Sequence, residues 1–346
     1  MQEQASVARI PMRTVGPVAV CGAVEGEVRI PLATFETPLW PSVNRGAKVS
    51  RASGGIRVTV IDERMTRSVL VEAPDAATAA AVAAALPAQR EALAAEAAGT
   101  SRYGRLIDLH TRVVGRLLFI RFALATGDAA GHNMVTQAAD RMLTWILDTW
   151  PELEHRSVSG NYCTDKKVSS VNAILGRGRH VAAELTVPAA ICRELLHTDP
   201  AAIADLNLKK NLIGTLVAGG VQTANAHVAN ILLAFYLATG QDAANIVEGS
   251  QAITLVELTP AGDLYVAVDM PSIIVGTVGN GKDLDFVRAN LSLMGCLEDR
   301  APGENARRLA AICGAAVLCG ELSLLAAQTN PGELMRAHRT LERRAP

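Results

Sequence analysis

The sequence lacks the features that mark several large classes of protein. Its 346 residues carry 33 basic and 34 acidic side chains, so no excess of positive charge indicates a partner such as nucleic acid or an anionic membrane. The six cysteines form no Cys-x-x-Cys pair and share no ligand spacing with the seven histidines. This absence argues against a zinc site or a disulfide framework and favours a reducing, cytoplasmic environment.

Two further absences concern membranes and nucleotides. The N-terminal segment has no basic start followed by an apolar run, so we predict no secretory signal. The longest apolar stretch, 309–327, contains Glu321, and a carboxylate in mid-bilayer costs several kcal/mol. We therefore expect a buried core helix there, and no membrane anchor. No Gly-x-Gly-x-x-Gly motif follows a strand, which argues against a Rossmann fold.

What is present is a chain that can bury a large core, because 49 % of its residues are hydrophobic and only 19 % are charged. Branched and aromatic runs predict strands, an alanine-rich segment predicts a helix that begins after Asp75 and is interrupted near Pro87, and a second helix follows. The predicted strands are 56–61, 68–72 and 117–124, and the predicted helices are 76–98 and 129–150. Their order indicates a compact α+β module.

The remainder of the chain is more apolar and more helical. It predicts a long helix at 211–239 with Gly240 as its end, a strand at 264–269, a glycine-rich loop at 276–281 and an apolar helix from 302 to 327. The last dozen residues are rich in arginine and are expected to be a solvated tail.

The string Ser-Gly-Asn-Tyr-Cys-Thr-Asp-Lys-Lys at 159–167 is polar throughout. Such a string indicates a loop that presents its aspartate and two lysines to an anion, or a solvated turn, and spacing alone leaves both open.

This string and the GRGRHVAAELTVP that follows resemble the hallmark loop of the 3-hydroxy-3-methylglutaryl-CoA (HMG-CoA) reductase family. The segments NAHVANILLAFYLATGQDAANIVEGSQAITLVE, DLYVAVDMPSIIVGTVGNG and PGENARRLAAICGAAVLCGELSLLAA resemble further blocks of that family in the same order. The resemblance extends from about residue 11 to the C-terminus. It implies a reductase that converts HMG-CoA to mevalonate and free CoA with two hydrides, through a hemithioacetal and an aldehyde.

The resemblance implies four catalytic residues. Lys166 would face the negative charge that develops on the carbonyl oxygen, and Asp242 would hold that ammonium charged and oriented. Glu36, crowded by Asp242, would act as the acid toward the aldehyde, and His338 would protonate the departing CoA thiolate.

The resemblance also implies the residues that bind the substrate. Arg67 and Lys167 would hold the carboxylate of the HMG group, with Ser159 and Asp165 completing the hydrogen bonds of the loop. Further contacts to HMG or to the catalytic residues would come from Lys210, His227 and Asn230, although His227 equally fits a core histidine. The CoA moiety would contact Ser42, Asn44 and Arg45, with Arg45 as the phosphate partner.

For the cofactor, the segment Gly-Asp-Ala-Ala-Gly-His-Asn at 127–133 resembles the family's dinucleotide motif, with His132 in place of the usual methionine or small residue. A helix that begins there would favour a pyrophosphate. The Ser-Arg-Tyr at 101–103 resembles the Ser-Arg-Phe of members that use NADPH, so we expect NADPH rather than NADH. The cofactor-binding residues implied are Ser101, Arg102, Gly127, Asp128, Gly131 and Asn133.

The fold implied is α+β, with a large helix-rich domain around a long central helix and a small inserted ferredoxin-like domain. The predicted boundaries are 1–67 and 158–346 for the large substrate-binding domain and 68–157 for the inserted dinucleotide-binding domain. A homodimer or higher homo-oligomer with its active site at the subunit interface is implied too. An NAD-dependent relative that oxidises mevalonate and a catalytically silent paralogue are the alternatives.

Overall fold

The protein has a mixed α+β fold. A computed structural model describes residues 8–341, apart from the side chains of residues 337, 338, 340 and 341 in the last helix. The strands are β1 Met12–Gly22, β2 Gly26–Ala33, β3 Ile56–Glu72, β4 Arg105–Val114, β5 Leu117–Ala125, β6 Glu154–Ser157, β7 Gly178–Val187, β8 Ile253–Leu258 and β9 Leu264–Ile273.

The α-helices vary from a single turn to seven turns. They are α1 Leu39–Ala52, α2 Ala76–Ala85, α3 Arg90–Ala98, α4 His132–Thr149, α5 Val171–Leu175, α6 Ala189–Leu196, α7 Pro200–Leu206, α8 Thr215–Val217, α9 Val228–Ala238, α10 Ile246–Gly249, α11 Asp285–Leu293, α12 Glu304–Thr329 and α13 Glu333–Leu341. Short 3₁₀ segments at Leu86–Gln89 and Ala243–Asn245 and a π-helical segment at Asn207–Gly214 complete the regular structure.

Strand β3 connects two sheets. The two runs predicted at 56–61 and 68–72 are the ends of this single strand of 17 residues. Its first half pairs with β1 and β7, and its second half pairs with β5 and β6. The first sheet has the order β2–β1–β3–β7–β9–β8, and the second has the order β4–β5–β3–β6. Strand β4 was not predicted from the sequence. It contains a register shift between Leu106 and Asp108, which interrupts the alternation of more and less buried side chains along the strand.

Two clusters of buried apolar side chains match these two sheets. One contains residues of β1, β2, α1, β7, α9, β9 and α12. The other contains residues of the second half of β3, β5 and α2 to α4. The predicted break near Pro87 and the predicted cap are confirmed, because a 3₁₀ turn separates α2 from α3 and the Asp75 carboxylate accepts the Thr78 N–H at 2.7 Å.

Helix α12 is the predicted core helix. It is the one described helix that is long and apolar enough to cross a membrane, and 94 % of its most apolar stretch is buried inside the protein. A Cβ at Gly46 of α1 would lie 2.3 Å from the Cys319 carbonyl oxygen, so these helices pack with their backbones in contact. Glu321 is fully buried and accepts hydrogen bonds from Ala226 N, His227 N and Thr254 Oγ1 at 2.8, 2.6 and 2.7 Å.

The predicted helix at 211–239 is wrong. The π-helical segment and α8 end near Gly219, which has a φ of 74°, and α9 begins only at Val228. Between them Ala224 forms a bridge with Ile253, and Asn225 Nδ2 donates to two backbone carbonyls. The polar side chains within the apolar run hold a turn, because buried backbone groups that leave a helix need other partners.

Two other boundaries differ from the prediction. Helix α4 begins at His132 instead of residue 129, because Gly131 adopts a left-handed φ of 99° at its N-cap. The expected solvated tail includes a helix, α13, whose Glu333 pairs with Arg45 at 2.6 Å.

Candidate active site

The SGNYCTDKK loop follows β6 and makes a strained turn. Asn161, Thr164 and Lys166 have φ values of 61°, 45° and 56°, a region that residues other than glycine rarely adopt. Side chains outside the loop hold it in this shape. The Asn172 amide donates to the Thr164 carbonyl at 3.2 Å, and the Glu248 carboxylate accepts the Lys166 N–H at 3.2 Å. These buried partners distinguish the loop from a freely solvated turn.

Lys166 and Asp242 form an ion pair within one chain. Lys166 Nζ lies 2.6 Å from Asp242 Oδ2, with the two side chains 39 % and 43 % exposed. The hydrogen bond that Lys166 donates to Asp242 raises the pKa of Lys166. Partial burial opposes ionisation of Asp242, but hydrogen bonds from Lys166 and from the Ala244 N–H outweigh it and lower the pKa of this carboxyl. Asp242 therefore caps a 3₁₀ turn and keeps Lys166 cationic.

A buried network lies behind this pair. Arg177, 1 % exposed, donates to Asp165 Oδ1 at 2.5 Å and lies 3.4 Å from Glu248 Oε1. The Asn245 amide donates to Glu248 at 2.8 Å. Burial raises the pKa of Glu248, while Arg177 acts in the opposite direction. We call Asp165, Lys166, Arg177, Asp242 and Glu248 the Lys166 cluster.

The candidate residues for the substrate carboxylate lie beside this cluster. The Arg67 guanidinium donates to Ser159 Oγ at 3.3 Å and to Thr136 Oγ1 of α4 at 2.6 and 3.0 Å. Lys167 is exposed, and its ammonium donates to the Asp165 carbonyl at 3.0 Å. The predicted residues therefore form two hydrogen-bonded pairs, Arg67 with Ser159 and Lys167 with Asp165.

The Gly-Asp-Ala-Ala-Gly segment joins strand β5 to helix α4. Gly127 and Gly131 both have positive φ, and a Cβ at Gly131 would lie 2.6 Å from the Thr126 side chain, so a larger residue would not fit. The Asp128 carboxylate accepts the Gly303 and Ala306 N–H groups at 2.9 Å each. Asp128 thus caps α12, which leaves the N-terminus of α4 without a side-chain cap.

The other candidate cofactor residues are exposed or half-buried. Asn133 is exposed in the first turn of α4. Ser101 Oγ accepts the Tyr103 N–H at 3.2 Å. The Arg102 guanidinium is exposed and lies 4.8 Å from the centre of the Tyr103 ring. This stacking presents a cation to solvent beside α3.

The glycine-rich loop after β9 connects Asp242 to the candidate cofactor motif. Gln241 immediately precedes Asp242 in the chain. Its side-chain amide accepts the Gly276 N–H at 2.9 Å and donates to the Gly276 carbonyl at 3.0 Å. On the other side, the Thr277 N–H donates to the Asp128 carbonyl at 2.8 Å. The loop therefore sets the position of Asp242 relative to the Gly-Asp-Ala-Ala-Gly segment.

Lys282, at the end of this loop, is an unusual buried lysine. It is 8 % exposed, and its ammonium donates to the Gly240 carbonyl at the end of α9. Burial lowers the pKa of Lys282 to about 8. The side chain fastens the turn that carries Asp242.

A second group of candidate residues lines a cavity of about 410 Å³ beside α1, α12 and α13. We call it the Glu36 cavity. Its predicted members are Glu36, Ser42, Arg45, His227 and Asn230.

Arg45 is fully engaged inside the Glu36 cavity. Its guanidinium pairs with Glu333 at 2.6 Å and donates to the Ser323 carbonyl and hydroxyl at 2.5 and 3.0 Å. Ser42 Oγ bonds to Ser323 Oγ at 3.1 Å. The C-terminal helix is thus anchored to the residue expected to meet a CoA phosphate.

The remaining predicted substrate residues have local partners. Asn44 Oδ1 accepts the Gly16 N–H at 2.8 Å. Lys210 Nζ donates to Asn211 Oδ1 at 2.8 Å, and partial burial lowers its pKa while nearby Glu321 acts to raise it. The His227 ring bonds to the Gly320 carbonyl at 2.9 Å. His227 therefore lines the cavity and also fastens α9 to α12.

The two groups do not meet within one chain. Among the described residues that line the Glu36 cavity, neither Lys166 nor Asp242 occurs. Asp242 pairs with Lys166, and among the described residues no hydrogen bond or ion pair joins it to Glu36. The side chain of His338 lies outside the described residues.

The comparisons with known proteins agree on one family. The family model for hydroxymethylglutaryl-coenzyme A reductase matches residues 3–343. The 3-hydroxy-3-methylglutaryl-coenzyme A reductase of Pyrococcus abyssi is 44 % identical over 346 residues, covering 99 % of this chain and 84 % of that protein. The enzyme of the same name from Aeropyrum pernix is 42 % identical over 338 residues, covering 97 % of this chain and 80 % of that protein. The chain belongs to the hydroxymethylglutaryl-coenzyme A reductase family.

The fold agrees with this family. A class II 3-hydroxy-3-methylglutaryl-CoA reductase from Streptococcus pneumoniae, solved with NADPH, superposes with a TM-score of 0.74 at 18 % identity, covering 95 % of this chain and 88 % of that chain. At this identity the likeness concerns the fold. The family resemblance and the α+β class predicted from the sequence are confirmed.

Sequence reasoning missed three residues of this candidate site: Arg177, Asn245 and Glu248. Arg177 and Glu248 are charged and almost completely buried, at 1 % and 0 % exposure, where a charged side chain requires a partner. The signal was present, because both lie in segments that resemble the family. Nothing in the local pattern indicated that they meet each other behind Lys166.

Proposed function

We propose that this member of the family reduces HMG-CoA to mevalonate and free CoA with two molecules of NADPH. The Lys166–Asp242 ion pair, at 2.6 Å, carries the proposal. It provides an oriented cation on a strained loop, connected through the glycine-rich loop to the candidate cofactor motif. The family membership supports the same reaction.

In the proposed reaction, Lys166 stabilises the negative charge on the carbonyl oxygen during both reductions. A preorganised cation contributes most when its position needs no rearrangement as the charge develops. The hydrogen bonds that Lys166 donates, from its ammonium to Asp242 and from its backbone N–H to Glu248, supply this order. Arg67 and Lys167 bind the distal carboxylate of the substrate, with Ser159 and Asp165 as their local partners.

The Glu36 cavity is proposed to bind the acyl-CoA. Arg45 meets a CoA phosphate, with Ser42 and Asn44 along the same helix. Glu36 is the acid toward the aldehyde, and His338 of α13 is the acid for the CoA thiolate. His227 and Asn230, which line this cavity, face the HMG group, and Lys210 contacts the same group.

We further propose that a second copy of the chain completes the site. Two observations support a homodimer: Glu36 and Lys166 belong to separate groups in one chain, and an apolar surface lies exposed next to edge strand β8. Such a surface is typical of an interface. Its exposed members include Leu208, Ile213, Leu216, Val217, Ile253 and Leu255.

The residues of the cofactor motif fit a dinucleotide. The α4 N-terminus has no side-chain cap, and two glycines with positive φ precede it, so its N–H groups are available to a pyrophosphate. Bound there, NADPH would supply the hydride. Gly127, Gly131 and Asn133 would contact the cofactor, Asp128 would hold the motif against α12, and Ser101 and Arg102 would bind the 2′-phosphate.

We propose that residues 68–157 form an inserted, ferredoxin-like dinucleotide-binding domain and that 1–67 and 158–346 form the large domain. The order β–α–β–β–α–β from the second half of β3 to β6 supports this assignment. So do the sheet order β4–β5–β3–β6, with antiparallel pairs throughout, and the separate core of this region.

The experiment follows nicotinamide absorbance and thiol release with purified protein and HMG-CoA. We expect two NADPH oxidised for each CoA released, and a slower reaction with NADH. Failure to oxidise either nucleotide would refute the proposal, whereas activity only with NAD, mevalonate and CoA would favour the oxidative alternative. Replacing Arg102 by alanine should weaken the preference for NADPH, and an unchanged preference would exclude the 2′-phosphate role.

A further inference from the structure

His132 is a titratable side chain at the junction of the cofactor motif and the Lys166 cluster. It is the first residue of α4, and its side chain is 22 % exposed, with Nε2 lying 3.8 Å from Asp165 Oδ1. Nε2 is buried and has no hydrogen-bond partner among the described residues. A buried polar nitrogen without a partner is uncommon in proteins.

The surroundings of His132 contain charges of both signs. Asp165 and Lys166 face it from the loop, Arg177 from the segment before β7, and Asp242 from the 3₁₀ turn. Burial and then Arg177 lower the pKa of His132, against the opposing effect of Asp165. The ring is therefore neutral above about pH 6.5, the ordinary pKa of histidine.

Asp165 transmits any change at His132 to the catalytic lysine. It precedes Lys166 in the chain, and Arg177 already holds its Oδ1 at 2.5 Å. Lys166 itself has a strained φ of 56°. A shift of Asp165 would therefore change the backbone of Lys166 and the direction of its ammonium.

We propose that His132 is a positioning residue: its neutral imidazole donates from Nε2 to Asp165 when the site closes on its ligands, and this bond fixes Lys166. The proposal rests on the proposed function for the identity of the reaction. Closure of the site by about 1 Å would shorten the distance between His132 Nε2 and Asp165 Oδ1 from 3.8 Å to the length of a charge-assisted hydrogen bond. Protonation adds a second cation that competes with Arg177 for the same oxygen and displaces the loop.

Two variants separate the hydrogen bond from the titration. His132→Gln can still donate to Asp165 but cannot titrate, and His132→Met can do neither. Above pH 7.5 we expect roughly wild-type kcat for the glutamine variant and about a tenfold lower kcat for the methionine variant, with KM values within about twofold. The wild-type decline of kcat below about pH 6.5 should disappear in both variants.

The matched control is His180→Gln. His180 pairs with Asp269 at 2.6 Å, apart from the Lys166 cluster, so this variant should keep the wild-type pH profile. A methionine variant with wild-type kcat, or with the same acid decline as the wild type, would overturn the proposal.

An NMR titration of the His132 ring tests the contact without turnover. Removing the charge of Asp165 with Asp165→Asn should lower the pKa of His132, because that carboxylate favours the imidazolium. An unchanged pKa would overturn the proposal. A wild-type protein inactive toward HMG-CoA would refute the proposed function, and the NMR result would still decide the contact.

Discussion

The Lys166 cluster and the Glu36 cavity hold their charged residues in different ways. In the cluster, Arg177 and Glu248 are buried at 1 % and 0 % exposure and support a partly exposed ion pair. In the cavity, Arg45 and Glu333 form an ion pair in which each side chain is 22 % exposed. This pair joins α1 to α13 at the edge of the open cavity. The difference indicates that the cluster is preorganised, whereas a ligand that binds Arg45 in the cavity would have to displace Glu333.

The largest effect expected concerns the buried support of the cluster. Arg177→Met leaves Asp165 and Glu248 without their cation, and breaking a buried ion pair from one side costs about 3–5 kcal/mol. Denaturant unfolding of the purified protein measures this loss. Arg193→Met is the control, since Arg193 and Asp199 are 62 % and 64 % exposed, and its cost should stay below about 1 kcal/mol. Equal stability losses in the two variants would contradict the preorganised cluster.

The second effect concerns catalysis by the cluster. Lys166→Ala should lower kcat by about 10²–10³-fold, the usual loss when an oxyanion partner is removed. Its fold should survive, because the side chain is 39 % exposed. Steady-state rates with HMG-CoA and NADPH measure the change, and Lys167→Ala, expected to raise KM more than it lowers kcat, is the comparison. A Lys166 variant that retains a tenth of wild-type kcat would exclude the proposed role.

The third effect tests whether the cavity of one chain serves the cluster of another. Glu36→Gln and Lys166→Ala should each be nearly inactive. Reassembly from an equal mixture should restore about a quarter of wild-type activity, because half of the dimers are mixed and each mixed dimer has one intact site. If each chain forms a site alone, the mixture stays inactive. A mixture of Lys166→Ala and Asp242→Asn, whose residues pair within one chain, provides the control.

The smallest effect concerns the open cavity alone. Glu333→Gln removes the carboxylate that competes with a CoA phosphate for Arg45. The KM for HMG-CoA should fall about two- to fivefold, in line with the energy of a partly exposed ion pair. The KM for HMG-pantetheine, which has no phosphate, should not change. An equal fall for both substrates would mean that Glu333 obstructs the cavity without competing for Arg45.

Some elements could be predicted because their signals are local. Asp75 could be placed at an N-cap because a short acidic side chain before an alanine-rich run satisfies the first helical N–H groups. The core helix α12 followed from its apolar length and from Glu321, because a carboxylate in mid-bilayer costs several kcal/mol. The break at 218–227 was missed because Asn225 makes its bonds to residues 250 and 252, about 25 positions away. No window of neighbouring residues contains that information.

The sequence by itself determined the family, the α+β class and the side chains of the candidate site, because these depend only on residue types and their order along the chain. Only the tertiary structure decided which of these side chains meet. It paired Lys166 with Asp242, placed Arg177 and Glu248 behind them, and separated Glu36 and Arg45 into another cavity. The physical reason is that ion pairs and buried hydrogen bonds act over a few ångströms, and folding alone brings distant residues within that range.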